Sequence, residues 1–235
     1  MAVSAEAAAM HGDVLGILLS FLLVGFFMGI SFLVVRFGKK RLGEECSEVA
    51  RKIVHIGVSN WFFIYYYVFE SDIWPIAGLA CFAVLNAVMN VSGGLKTVMG
   101  QDSKKRNWGL VYYPVSIIIL IALKSFGVCD IVSVGCGVLG MGYGDGLASL
   151  VGKRGKSAKV VKKGSKTWAG SITVAVVTFT VVLLLKLGYT DASAARITLS
   201  AAAAALAASA VEVWTPYGLD NISVPVTIFL ITGLI

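Results

Sequence analysis

Charge is scarce in this sequence. Only 14% of its 235 residues are Asp, Glu, Lys or Arg, whereas an ordinary soluble domain carries roughly a quarter. That composition excludes a chain folded in water. Histidine is scarcer still, present only as His11 and His55. The four cysteines, Cys46, Cys81, Cys129 and Cys136, have neither metal-site nor disulfide spacing, so they are expected to be buried apolar fillers. Strand-like alternation is missing, which argues against a membrane β-barrel. No Walker sequence exists, because Gly152-Lys153 is followed by Arg154 and Leu147 stands where the leading glycine is required. The segment 135–140 spells GxGxxG, but it lies inside an apolar run and follows no strand.

Long apolar runs are what the sequence has instead. Val14 to Val35 contains no charge and no proline, and a spanning helix needs about 20 such residues. Further runs cover 53–69, 73–91, 110–126, 131–151, 168–185 and 192–213, and a shorter one, 222–235, reads as a shallow or tilted helix. The expected fold is all-α: a polytopic integral membrane protein of about 7–8 transmembrane helices, folded as a single membrane-embedded domain over residues 1–235. Nothing basic precedes the first run, and its apolar core exceeds the about 7–15 residues of a signal peptide. It is therefore expected to persist as a helix. The stretch Ala201–Ala205 fits a closely packed helix.

The net charge of +7 does not point to nucleic acid, because its placement follows the membrane. Seventeen of the 20 Lys and Arg fall at 36–52, 96–106 and 153–166, on alternate connections, leaving Lys124, Lys186 and Arg196 for the other side. Positive residues mark cytoplasmic loops, so the N-terminus is expected outside. So compact a chain suits a bacterial cell membrane.

This topology gathers polar residues at one boundary. Glu48, Arg51, Lys52 and His55 start the second run, and Asn86 and Asn90 share one face of the third, four residues apart. Asp145 closes the fifth, Lys166 and Thr167 open the sixth, Glu212 closes the seventh, and Asp220 and Asn221 open the last. Snorkelling accounts for the lysines. It does not account for acids and paired asparagines at membrane depth, which are costly and by default functional. Tyr112 and Tyr113 are expected as interface-belt aromatics, and Trp61 to Tyr67 as packing or lipid-facing groups. A small transporter is the alternative from another class, but it would cluster such groups near the midplane.

The segment from Gly140 to Ser171 carries the most chemistry. Glycines at 140, 142, 144 and 146 surround Asp145, and seven basic residues follow between Lys153 and Lys166. A carboxylate for Mg²⁺ beside several cations suits a nucleoside triphosphate. The start of the helix after Thr167 adds free N–H groups and a dipole that attract phosphate. Residues 140–171 are thus the expected nucleotide-binding region.

Four separated motifs resemble the polyprenol kinase family, which includes phytol kinase, dolichol kinase and CTP-dependent diacylglycerol kinases. They are Glu48-x-x-Arg51-Lys52-Ile-Val-His55-Ile-Gly57; Gly109-Leu-Val-Tyr-Tyr113-Pro; Asp145-x-x-Ala148-x-x-x-Gly152 with Lys166-Thr167-Trp-Ala-Gly170-Ser171; and Glu212 with Asp220-Asn221-Ile-x-x-Pro225. CDP-diacylglycerol synthases, cytidylyltransferases that share the nucleotide motif, also carry a C-terminal Lys-Asp and His-Gly-Gly motif that is missing here. Ala169 stands where many dolichol kinases have Glu, which turns the resemblance towards the smaller phytol-like and diacylglycerol-like members.

The resemblance implies transfer of the γ-phosphoryl group of CTP, with Mg²⁺, to the hydroxyl of a lipid alcohol drawn from the bilayer. An isoprenoid alcohol is the expected acceptor and diacylglycerol the alternative, with the active site at the cytoplasmic face. It assigns Asp145 to the metal, and Lys153, Lys163, Lys166 and Thr167 to the phosphates, alongside Gly144, Gly146 and Gly170. Arg51 and His55 would reach the phosphoryl group or the lipid hydroxyl. Glu212 or Asp220 would serve as general base or second metal ligand. Asn86, Asn90 and Asn221 would orient their neighbours, with Glu48, Lys52 and Tyr113 in support. Oligomeric state is left open.

Overall fold

The computed structural model describes residues 2–94, 108–154, 158–160 and 166–235. Among these, nine α-helices follow one another: α1 (Ala2–Leu42), α2 (Cys46–Ser59), α3 (Trp61–Tyr67), α4 (Ile73–Ser92), α5 (Gly109–Ser125), α6 (Ile131–Arg154), α7 (Trp168–Tyr189), α8 (Ala194–Trp214) and α9 (Asp220–Leu234). The strand-type pairing among the described residues is one isolated antiparallel bridge between Lys159 and Thr167. Five helical stretches, Met10–Gly38, Ile73–Ser92, Ile131–Gly152, Trp168–Tyr189 and Ala194–Trp214, are long and apolar enough to cross a membrane, while α5 and α9 are shorter apolar helices. The chain is an all-helical, multi-pass membrane protein.

The second apolar run differs from its expectation. It begins earlier, at Cys46, and breaks at Asn60 between α2 and α3. There the Asn60 amide donates to the carbonyls of Ile56 (3.1 Å) and Gly57 (3.2 Å), a side-chain bond that competes with the helical ladder.

The chain divides into two compact units, Met1–Ile118 and Ile119–Ile235. In the first, α1 packs along α2 and touches α3 and α4. Buried Asp13 of α1 accepts from the amides of Glu70 (3.0 Å) and Ser71 (3.2 Å) and from the Ser71 hydroxyl (3.1 Å), which ties α1 to the turn before α4. Val54 packs against Met28, Val58, Met89 and Leu110.

In the second unit α6 packs on α7, α7 on α8, α8 on α9, and α9 back on α6. Lipid is as apolar as leucine, so close packing rather than escape from water holds such helices together. Ala201, Ala204 and Ala208 are wholly buried along α8, as the alanine stretch leads one to expect. A Cβ on Gly137 of α6 would lie 2.7 Å from the Pro225 carbonyl oxygen of α9, so only glycine admits that approach. Large apolar side chains such as Phe21, Leu22, Val176 and Leu206 point outward, the surface a bilayer requires.

Candidate active site

The sequence builds one end of the second unit from a cap, a short antiparallel pairing and a turn. Thr167 is extended and caps α7, its hydroxyl accepting from the Gly170 amide at 3.2 Å. Before it, the Val160 amide donates to the Lys166 carbonyl (3.0 Å) and the Trp168 amide to the Ala158 carbonyl (3.1 Å), so residues 158–160 pair antiparallel with residues 166–168. A Cβ on Gly152 would lie 2.6 Å from the Thr167 hydroxyl, and this glycine seats the cap against α6. Between α8 and α9, Tyr217 and Gly218 both take left-handed backbone angles, with φ of 61° and 81°. The reversal brings the end of α8 and the start of α9 to the same lysine.

That lysine is Lys166. Its ammonium pairs with Glu212 Oε1 and with Asp220 Oδ2, the latter at 2.7 Å. Glu212 and Asp220 are both buried. Burial alone pulls the Lys166 pKa down, but the charges and hydrogen bonds of Asp220 and Glu212 outweigh it. Its pKa therefore sits above the usual lysine value, and it stays an ammonium. Asn221 donates its side-chain amide to Asp220 Oδ1 (3.1 Å) and to the Gly218 carbonyl (3.0 Å), and its backbone N–H to the same Asp220 oxygen (3.1 Å). Ser171 donates to Glu212 Oε2 over a long 3.5 Å, and Ser209 donates to the Ser171 carbonyl at 2.9 Å. The charge of Asp145, half-buried on α6, reaches Glu212.

Three helices and the segment before α7 thus deliver Asp145, Glu212, Asp220 with Asn221, and Lys166 to one end of the second unit. Several expectations change in detail. Asp145 does not close its helix, since α6 continues to Arg154. Gly144 and Gly146 are helical and buried, and Gly144 faces Val174 and Thr178 of α7. Gly170 lies against the Thr167 hydroxyl and the Ala148 carbonyl. These glycines are used in helix packing. The start of α7 keeps its dipole but not its open amides, because Ala158 and the Thr167 hydroxyl already accept from Trp168 and Gly170. Lys153 lies in the last turn of α6, and Lys163 lies outside the described residues.

The first unit forms its own polar cluster. Arg51 pairs with Glu48 at 3.9 Å, and Lys52 and His55 are buried on α2. The His55 ring lies 4.4 Å from that of Tyr113. Tyr113 is therefore no belt aromatic; it is 5% exposed and packed on His55. Trp61, Phe62 and Tyr65 are likewise buried, while Tyr67 is exposed. Asn86 donates to the Leu110 carbonyl at 3.0 Å, and Asn90 is buried beside it on α4.

Among the described residues, no three His, Cys, Asp or Glu side chains gather closely enough to cage a metal ion. Glu212 and Asp220 instead share Lys166. The donor set fits Mg²⁺ in the way usual for that ion, through one or two carboxylates with substrate phosphates completing the shell. Asp145 on α6 is the carboxylate that the motif resemblance assigns to that part. Ser171 closes the nucleotide motif but was given no role of its own, and Ser209 carries no sequence signal beyond a polar residue in an apolar helix.

No family model and no solved structure matches the chain. Over 190 residues, 79% of this chain and 78% of the relative, it is 33% identical to a phytol kinase of Synechocystis sp.. Over 204 residues, 84% of this chain and 68% of the relative, it is 28% identical to a probable chloroplastic phytol kinase 2 of Glycine max. The four motifs, the all-helical membrane fold and this likeness agree, and the chain belongs to the polyprenol and phytol kinase family.

Proposed function

We propose that this protein is a CTP-dependent lipid-alcohol kinase whose acceptor is an isoprenoid alcohol of the phytol or polyprenol type. The observation that carries the reading is Lys166 held between Glu212 and Asp220, with Asp145 in electrostatic reach. The phytol kinase names of both relatives support an isoprenoid alcohol over diacylglycerol. The placement of basic residues supports a site at the cytoplasmic face.

In the reaction the lipid oxygen bonds to the γ-phosphorus as the bond from that phosphorus to the β,γ-bridging oxygen breaks. CDP departs, and the hydroxyl proton passes to a carboxylate. Such transfers depend on alignment and charge neutralisation more than on covalent help. Both oxygens of Asp220 already accept, from Lys166 and from Asn221. Among the described residues Glu212 Oε2 accepts only the long bond from Ser171, so Glu212 is assigned as the general base. An ammonium has three donors; the two carboxylates take two of Lys166's, and the third serves a phosphate oxygen. Asp145 would hold the Mg²⁺ that accompanies the nucleotide, and the ion would supply further neutralisation of the phosphate oxygens.

The test is phosphate transfer by the full chain in detergent, with Mg²⁺, γ-labelled CTP or ATP, and phytol, polyprenols or diacylglycerol. Label passing from CTP to a prenol is expected. Transfer to diacylglycerol alone would move the acceptor, transfer from ATP alone would move the donor, and a folded protein that neither transfers label nor binds CTP would overturn the reading.

A further inference from the structure

Between α7 and α8 the outward surface opens into a groove of about 410 Å³. Small side chains create it: Ser171 and Ala175 on α7 face Ser209 and Ala210 on α8, with Trp168 and Trp214 at one end. Both helices are long and apolar enough to span a membrane. Beside the groove Ile172, Val176 and Leu206 are 59%, 59% and 71% exposed, so its open side meets hydrocarbon in a bilayer. A lining of apolar carbon with two hydroxyls suits an amphiphile with one polar head and a hydrocarbon tail. It offers nothing to a ligand rich in charge.

Ser171 links the groove to the charged cluster. Ser171 lines it and donates to Glu212 Oε2 at 3.5 Å, while Ser209 donates to the Ser171 carbonyl at 2.9 Å. Trp168 follows the Thr167 cap directly, and Trp214 lies two residues beyond Glu212. The two rings therefore mark the charged end of the groove, and such amphipathic rings favour the headgroup level of a bilayer. From that end the groove runs towards Ala175, Val176 and Leu206, deeper along both helices.

We propose that this groove holds the hydrocarbon tail of the lipid alcohol, with the hydroxyl at the Ser171 end, facing Glu212. The proposal rests on the lipid-kinase reading and deepens it, because it makes Ala175 and Ala210 the residues that select the tail. Ala175 lies one helical turn beyond Ser171, about 6 Å along the axis. A bulky residue there obstructs a long tail and spares a very short one.

Two measurements on the full chain in lipid nanodiscs test this. The first compares kcat/KM for phytol and for a five-carbon prenol in the wild type, Ala175→Phe and Ala210→Leu. At least a tenfold loss for phytol is expected with less than a twofold change for the short alcohol; an equal change for both would overturn the proposal. The second uses a phytol analogue with a tail diazirine and needs no turnover. Label is expected in peptides spanning 168–176 and 206–214, and reduced in both variants if their melting temperatures match the wild type. Phosphate transfer to phytol with label on other helices would overturn the groove and leave the kinase standing. Groove labelling lost in the variants, with no transfer to any alcohol, would sustain a prenol-binding groove and contradict the kinase.

Discussion

Two lysines sit at opposite ends of α7. Lys166, just before its first turn, meets the carboxylates of Glu212 and Asp220. Lys186, in its last turn, is 6% exposed and donates to the Thr232 carbonyl at 2.7 Å and the Ser200 hydroxyl at 3.2 Å. Each reaches both α8 and α9, so each ties the same three helices together. Their partners differ in charge, and on the proposed function the difference separates a strut from a reactive end. The hydrogen-bond partners of Lys186 are neutral, whereas those of Lys166 are carboxylates. Around Lys166 the chain adds Asp145, a hydroxyl on Glu212 and an apolar groove, none of which a strut requires.

Replacing each lysine by methionine sharpens that contrast and should give the largest effects. Lys166→Met removes the cation between two buried carboxylates. A fold loss of about 3 kcal/mol is expected, because breaking a buried pair leaves uncompensated charge, together with loss of transfer. Lys186→Met should cost about 1 kcal/mol, the scale of a cross-helix hydrogen bond in a membrane, and leave turnover within twofold of the wild type. Chemical unfolding and labelled phosphate transfer measure the two quantities. Equal damage to transfer in both variants would dissolve the comparison.

Asp145→Asn should abolish transfer while membrane insertion and unfolding midpoint stay as in the wild type. Raising Mg²⁺ should not rescue it. Normal transfer in this variant would remove Asp145 from the metal. Next in size, Glu212→Gln should slow turnover by about 10²–10⁴-fold, the usual contribution of a general base. Asp220→Asn should slow it less, since its two oxygens are committed to Lys166 and Asn221. The reverse order would exchange the two roles. The smallest effect expected is that of Thr167→Ala, which removes the cap of α7 and should cost about 1 kcal/mol of stability, again read by unfolding.

The helices were legible because a bilayer demands continuous apolar runs, and such runs survive in a single sequence. Their ends were less so. Asp145 reads as the close of a helix because glycines and then basic residues surround it, yet α6 continues to Arg154. Buried glycine is tolerated in a helix wherever a neighbour must come close, as Pro225 does at Gly137. Lys166, Glu212 and Asp220 were each named from residue type and motif. Their meeting was not legible, because Lys166 and Asp220 are 54 positions apart and no local pattern records such a pairing. The amides at the start of α7 read as open to phosphate. The pairing that satisfies one of them depends on the Ala158 carbonyl, a backbone group with no residue signature. Tyr113 shows the same limit, since its burial against His55 comes from how α2 and α5 meet.

The central claim is that the Lys166 end of the second unit performs phosphoryl transfer to a lipid hydroxyl. Its most direct test is γ-label transfer from CTP to phytol, measured side by side for the wild type, Lys186→Met and Lys166→Met in the same nanodiscs. The account predicts labelled phytol from the first two and none from the third. A folded wild type that transfers no label, or a Lys166→Met variant that transfers as much as Lys186→Met, would contradict it.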